Sequence, residues 1–251
     1  MVNLLLAALA FQPAPAMIRQ LFEEELARAS ARYGATGVQT AQAARDLGLF
    51  LVRQGEVPAA RAALSQAVHA DESAFGPAAR QTLADVADLA AISEAVQAVL
   101  LWQRAAGSAD AATAARSFSA LGDLRAGAGD RAGAIQYYRR AMQREEAVGA
   151  GNELRVAARL NTLAILLDSR AAVPLLERAH RIVASRVGRR RIEAASIQIN
   201  LATRLLATGS REAALRNAAE AASIFEETLG PDHPRTVASR SLLDEIRAAA
   251  R

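Results

Sequence analysis

The stretch from Ile199 to Pro234, INLATRLLATGSREAALRNAAEAASIFEETLGPDHP, decides the fold. It opens on an apolar run in which Leu201 is followed by a small residue, Ala202, and which Gly209 brings to a stop. A second run then carries Ala214 and Ala221 at a spacing that returns to one face of a helix. Gly230, followed by Pro231 and Pro234, closes that run. The reading is two amphipathic helices joined by a glycine turn. Such a hairpin cannot bury its apolar stripe alone and needs neighbours of the same kind.

The chain supplies them. A glycine that follows a long amphipathic segment recurs at Gly34, Gly76, Gly107, Gly149, Gly188 and Gly230, at intervals of 42, 31, 42, 39 and 42 residues. In LGLFLVRQGEVPAARAALSQAV, Leu47 to Val68, the pair Leu47–Gly48 and the stop at Gly55 precede Ala60, Leu64 and Ala67 on one helical face. In LGDLRAGAGDRAGAIQYYRRAM, Leu121 to Met142, Leu121–Gly122 and Gly129 precede Ala134, Tyr138 and Ala141 at the same offsets. Small residues in these places let two helix backbones approach closely. Two units depart from the pattern: Ala90 to Ala98 and Ala164 to Ala172 span 8 residues where Ala202 to Ala214 spans 12. Their inter-helix turns are therefore expected to be about four residues short. Ala98, Trp102 and Ala105, and Ala172, Pro174 and Ala179, keep their second helices recognisable. Trp102 and Tyr138 share one packing position and are read as core.

These three stretches resemble the tetratricopeptide repeat family, in the roughly 42-residue variety found in kinesin light chains and many bacterial proteins. The Gly230-Pro231-Asp232-His233-Pro234 linker is characteristic of that variety. The resemblance runs over residues 36–250, strong in three units and degraded in two. It implies an all-α fold, a right-handed α-solenoid of helix hairpins. The expected plan is one solenoid over 17–251: an N-terminal helix over 17–33 that covers the first pair, five helix pairs over 36–234, and a capping helix over 235–250. Arg240, Asp244 and Arg247 are expected on the outer face of that last helix, as the solubility of a solenoid end requires.

Composition agrees and excludes several classes. About a quarter of the 251 residues are alanine and only 4% are aromatic, which favours helix nearly everywhere. The absence of cysteine removes disulfides, zinc thiolates, iron–sulfur clusters and a thiol nucleophile. No apolar run reaches the roughly 18–20 residues of a membrane span. The isoelectric point near 10.4 invites a nucleic-acid reading, but net charge is only +4 and every one of the 30 basic side chains is arginine. Arginine does not titrate below pH ~12, so the isoelectric point overstates the positive surface. One denser cluster, Arg186, Arg189, Arg190 and Arg191, reads as a solvated loop between helices or, alternatively, as a contact for anions or RNA.

An enzyme is not expected. His69, His180 and His233 stand at no metal-ligand spacing with a carboxylate, so neither a metal nor another cofactor is called for. His69 and His180 read as helix-surface residues and His233 as a cap in the linker. Without lysine there is no phosphate-binding glycine loop, and no nucleophile elbow occurs. Glu23–Glu24–Glu25 and Glu145–Glu146 read as solvated faces.

The family resemblance implies instead a protein or peptide partner, held on the concave face that the first helix of each pair lines. Carried over by position, the candidate groove residues are Gln42, Arg45, Asp46, Asp88, Arg116, Asp123, Asn161, Thr162, Asn200 and Thr203. Amides and hydroxyls there would bond a peptide backbone, and mixed charges would select its polarity. The competing reading is that these groups are merely solvated. The alternative function is a regulatory or sensor module binding nucleic acid or a small ligand through the arginine-rich surface. The family's asparagine survives only as Asn200, and its lysine-rich clamp for a terminal carboxylate is missing.

The amino terminus, MVNLLLAALAFQPAPA, has an apolar core from Leu4 to Phe11 and then Ala14-Pro15-Ala16, similar to a small-residue cleavage site. Residues 1–16 read as an export signal cleaved after Ala16, placing the mature chain outside the cytoplasm. The alternative is a hydrophobic leader, or a true start at Met17, on a cytoplasmic protein. No basic residue precedes Leu4, which favours the alternative.

Overall fold

The computed structural model describes residues 15–149, 151–188 and 191–248. Most of the expected leader, Arg189 and Arg190 of the basic cluster, and the last two residues of the expected capping helix lie outside them. The described residues form twelve α-helices and no strand. In chain order these are α1 (Pro15–Tyr33), α2 (Val38–Arg53), α3 (Val57–Phe75), α4 (Arg80–Ala91), α5 (Ala95–Ala105) and α6 (Ala111–Gly127). They continue as α7 (Arg131–Val148), α8 (Glu153–Leu166), α9 (Ser169–Arg186), α10 (Ile192–Ala207), α11 (Arg211–Leu229) and α12 (Pro234–Ala248). The chain separates into two compact units, 1–121 and 122–251. Both are stacks of helical hairpins of α-solenoid type.

In unit 1, α1 begins at Pro15, two residues before the expected Met17, because proline's fixed φ and missing N–H suit the first helical position. Its Ile18, Phe22 and Leu26 pack on Leu47, Phe50 and Leu51 of α2. The Phe22 and Phe50 rings meet at 5.3 Å between centroids. Within the hairpin, a Cβ added to Gly48 would stand 2.7 Å from Cγ of Leu64, so only glycine fits that crossing. Unit 2 repeats the device: a Cβ on Gly122 would lie 2.6 Å from Cε1 of Tyr138. The facing position holds Leu64, Trp102, Tyr138, Leu176 and Ala218 along the chain, and all five are buried.

The two degraded hairpins correct the expectation. Their turns are not short by four residues: three residues separate α4 from α5 and two separate α8 from α9, against three in the regular hairpins. The missing residues come out of the first helix, which ends soon after Ala90 or Ala164 instead of running on to Arg53, Gly127 or Ala207. Removing about four residues deletes one helical turn and leaves the side chains on the same face. Ala90, Ala98, Ala164 and Ala172 therefore stay buried.

Two of the linkers are built alike as well. Gly34, Gly76, Gly149, Gly188 and Gly230 have positive φ, whereas Gly107 does not, so the second and third intervals, which meet at Gly107, are not bounded by the same kind of turn as the others. A threonine six residues on ties the next helix back: Thr40 Oγ1 donates to the Gly34 carbonyl at 2.7 Å and Thr82 Oγ1 to that of Gly76 at 2.9 Å. After Gly107 the corresponding Thr113 donates instead to Asp110, which caps α6. His233 behaves as a linker cap, its Nδ1 accepting the Arg235 N–H at 3.1 Å. In unit 2, α12 turns Leu243 and Ile246 into the core and leaves Asp244 and Arg247 exposed. Arg240, expected fully outward, is only half-exposed and is held by Glu226.

Candidate functional site

The candidate residues of unit 1 come together, but as charge pairs. On α2, Gln42 Nε2 donates to Asp46 at 3.0 Å and receives Arg45 Nη1 at 3.1 Å on its oxygen. The same guanidinium reaches Asp71 of α3 at 3.2 Å and bonds Asp85 of α4 through Nε. Asp71 and Asp85 are 2% and 0% exposed, so this cluster belongs to the core. Burial pushes the Asp85 carboxyl up to about 6; Arg45 opposes the rise, while Asp71 and Asp88 add to it. Further along, Arg116 of α6 bonds Asp88 of α4 at 2.8 Å and lies 5.8 Å from the centroid of the Trp102 ring. Trp102 is buried beneath it, as its packing position requires.

Sequence reading missed Asp71 and Asp85 because each stands in a column that mixes apolar and charged residues. Seven residues after the facing position come Asp71, Glu145, Val183 and Phe225, all buried. Four residues before the conserved-spacing leucines Leu47, Leu89, Leu163 and Leu201 come Ala43, Asp85, Arg159 and Ile197. Aligning the units by column exposes the charged members.

Unit 2 carries one such pair and otherwise a different surface. Arg159 of α8 bonds Glu145 of α7 at 3.4 Å and lies 5.2 Å from the centroid of the Tyr138 ring. Burial raises the Glu145 carboxyl against the pull of Arg159, so half of the expected solvated pair Glu145–Glu146 is core. Asp123 accepts the Tyr138 hydroxyl at 2.6 Å, which with burial holds that phenol above its ordinary range. Thr162 and Thr203 donate to the carbonyls of Ala158 and Ile199 on their own helices. Asn200 of α10 donates to Asn161 of α8 at 2.8 Å, joining two first helices by an uncharged link.

That link borders open space. A cavity of about 550 Å³ is lined by Leu154, Ala158 and Asn161 of α8, Val183 of α9, Ile192, Ser196 and Ile197 of α10, and Arg235 of α12, among others. A smaller one of about 260 Å³ lies by Asn200, Phe225 and Ala238 and shares Ser196 and Arg235 with the first. Of the basic cluster, Arg186 is engaged by Glu153. Among the described residues no group of histidines and carboxylates is arranged to hold a metal, and no helix is long and apolar enough to cross a membrane. His69 is exposed and His180 half-buried.

Stacked hairpins with a repeated glycine-containing crossing define a helical-repeat protein. Residues 194–235 match the tetratricopeptide repeat family. The chain is similar in fold to BtubC (BKLC) from P. vanneervenii, at 16% identity and TM-score 0.68, over 89% of this chain and 95% of that one. It is similar to a putative kinesin light chain of Podosopora anserina with nearly identical repeats, at 18% identity and TM-score 0.60, over 75% and 95% of the two chains. YrrB, a tetratricopeptide repeat protein with an unusual peptide-binding site, aligns at 16% identity and TM-score 0.55, over 86% and 97%. No curated protein matches the chain significantly. Residues 194–235 thus carry a tetratricopeptide repeat, and the described residues have the α-solenoid fold of the proteins to which the chain is similar.

Proposed function

We propose that the chain is a non-enzymatic scaffold that holds a peptide or helix of a partner protein on the first-helix face of unit 2. The observation that carries this is the pair of contiguous cavities flanking the Asn161–Asn200 bond, where uncharged hydrogen-bonding groups stand beside apolar walls. A peptide needs both: partners for its backbone and a place for its side chains. The peptide-binding site named for YrrB supports the reading by analogy of fold. In unit 1 the candidates are committed to ion pairs and hydrogen bonds within the protein, so Arg45 is an unsuitable test residue; its loss would strand two buried carboxylates.

The test is photo-crosslinking in native extract with a photoreactive residue at Ser196 of unit 2 or at Gln42 of unit 1. A discrete crosslinked partner from position 196, diminished by Asn161→Ala with Asn200→Ala, is the expected result. Equal crosslinking from both positions, or insensitivity to the asparagine changes, would overturn it.

A further inference from the structure

We infer that the cavity where the start of α9 meets the end of α10 is a binding site for a guanidinium on an aliphatic stem, the chemistry of an arginine side chain. It lies at the opposite end of these two helices from the larger cavity and does not depend on the proposed groove.

The chain's own packing shows what such a place takes. Unit 2 has three junctions between a second helix and the first helix that follows it. At two of them an arginine at the start of the former holds the last carbonyls of the latter. Arg131 of α7 donates through Nε to the Leu166 carbonyl of α8 at 2.6 Å. Arg211 of α11 donates to the Arg247 carbonyl of α12 at 3.0 Å and to that of Ile246. In unit 1, Arg61 of α3 reaches the Ile92 carbonyl at the end of α4 at 3.4 Å. A cation at a helix C-terminus meets both the unsatisfied carbonyls and the negative end of the dipole. Arg131 and Arg211 each stand three residues before the alanine of the stripe, Ala134 or Ala214. In α9 the residue three before Ala172 is Ser169. Among the described residues no arginine bonds the last turn of α10.

A cavity of about 520 Å³ stands at that third junction, lined by Ser169 of α9 and by Ala207 and Thr208 at the end of α10, among others. Its size is within the roughly 300–1,000 Å³ of small-ligand sites. Main-chain oxygens supply acceptors on two sides. The Ala207 carbonyl accepts no main-chain hydrogen bond among the described residues. On the other side Pro174, inside α9, has no N–H to give the carbonyl of Arg170 one turn back. Val173, Pro174 and Leu205 form apolar wall along which a methylene stem can lie while its charged head reaches the carbonyls. The Arg170 side chain is one residue off the clamp position and bonds none of these carbonyls. Its charge weakens the site for a cation and would strengthen it for an anion.

The experiment titrates the isotope-labelled full chain with Nα-acetyl-arginine methylamide, with its uncharged citrulline analogue and with agmatine, read by NMR at the amides of Val173, Thr208 and Gly209. The capped arginine is expected to bind there and the citrulline analogue to bind about tenfold more weakly, because a charged donor makes the stronger hydrogen bond. Ser169→Arg, which builds the clamp of α7 and α11 into α9, is expected to raise Tm by about 2–4 °C and to weaken binding of the capped arginine by about tenfold or more. Arg170→Ala removes an exposed like charge and is expected to tighten binding by about threefold. Tighter binding of the capped arginine than of agmatine assigns the occupant to the side chain of a protein, and the reverse to a small guanidine. No shift at these amides with either guanidine, equal binding of the citrulline analogue, or weaker binding in Arg170→Ala would each overturn the inference. So would a Ser169→Arg variant that melts no higher than the parent or binds as the parent does.

Discussion

Unit 1 and unit 2 are assembled from the same hairpin, yet they put their polar groups to different use. In unit 1 the first helices are joined by charge: Arg45 gathers Asp71 and Asp85, and Arg116 takes Asp88. In unit 2 the corresponding link is the amide pair Asn161–Asn200, and Arg235 and Arg191 line the cavity beside it. Buried ion pairs satisfy one another and leave little for a ligand, at a desolvation cost that their attraction only partly offsets. Neutral amides hold helices together while keeping hydrogen-bonding capacity for a partner. One repeat thus yields a stretch braced by charge and one linked by amides through substitution at a few columns.

The largest effect should come from breaking the charged cluster. Arg45→Met leaves two buried carboxylates without their cation and should cost about 3–5 kcal/mol. Hydrogen exchange should show that loss in α2, α3 and α4 while α8, α10 and α11 keep their protection. Replacing the cluster together, Arg45→Met with Asp71→Leu and Asp85→Ala, should restore wild-type stability or exceed it. A single Arg45→Met variant as stable as the parent would show that the cluster is not the strut described.

Next in size is the helix crossing, which should behave alike in both units. Gly48→Ala and Gly122→Ala force a Cβ against Leu64 and Tyr138 and should each cost about 1–3 kcal/mol in chemical denaturation. Gly127→Ala meets nothing within 4 Å and should be neutral or slightly stabilising. Equal outcomes for Gly122→Ala and Gly127→Ala would contradict the close approach.

The cluster also predicts a pH dependence. Asp85 titrates at about 6 when folded and near the ordinary carboxylate value of about 3.9 when unfolded. Between those values the native state holds more protons, so stability falls as pH rises from about 4 to about 6 and levels off above. Asp85→Asn should flatten that slope. Asp110 is shifted the other way, held low first by the Thr113 hydroxyl and backbone N–H, so its capping contribution is lost only as pH falls through its depressed value. Denaturant midpoints taken from about pH 2 to about pH 7 check both signs. The smallest effect belongs to Asn200→Ala, which removes one half-buried hydrogen bond and should cost about 0.5–1.5 kcal/mol while impairing partner binding.

Much of this architecture was legible because it is periodic. The Leu–small pair, the glycine stop and the alanine stripe recur at fixed offsets, and each follows from local packing that one sequence window contains. The partners of Arg45 were not legible in the same way. They lie 26 and 40 residues away on two other helices, and an acid on an alanine-rich stripe reads as surface until the columns of several units are compared. The apparent shortening of two turns misled for a related reason. Counting between alanines measures helix plus turn, and the deletion fell in the helix. At the candidate site, sequence placed Asn161 and Asn200 on first helices, where they bond each other, but carried no sign of the cavity beside them. That space depends on how α8, α9, α10 and α12 pack in three dimensions.

The central claim is that the receptive face belongs to unit 2. Hydrogen exchange of the full chain, with and without a saturating crosslinked or peptide partner, tests it most directly. New protection should appear in the amino-terminal halves of α8, α10 and α12 and be absent from α2, α4 and α6. Protection centred on α2 and α4, or spread equally over both units, would contradict it.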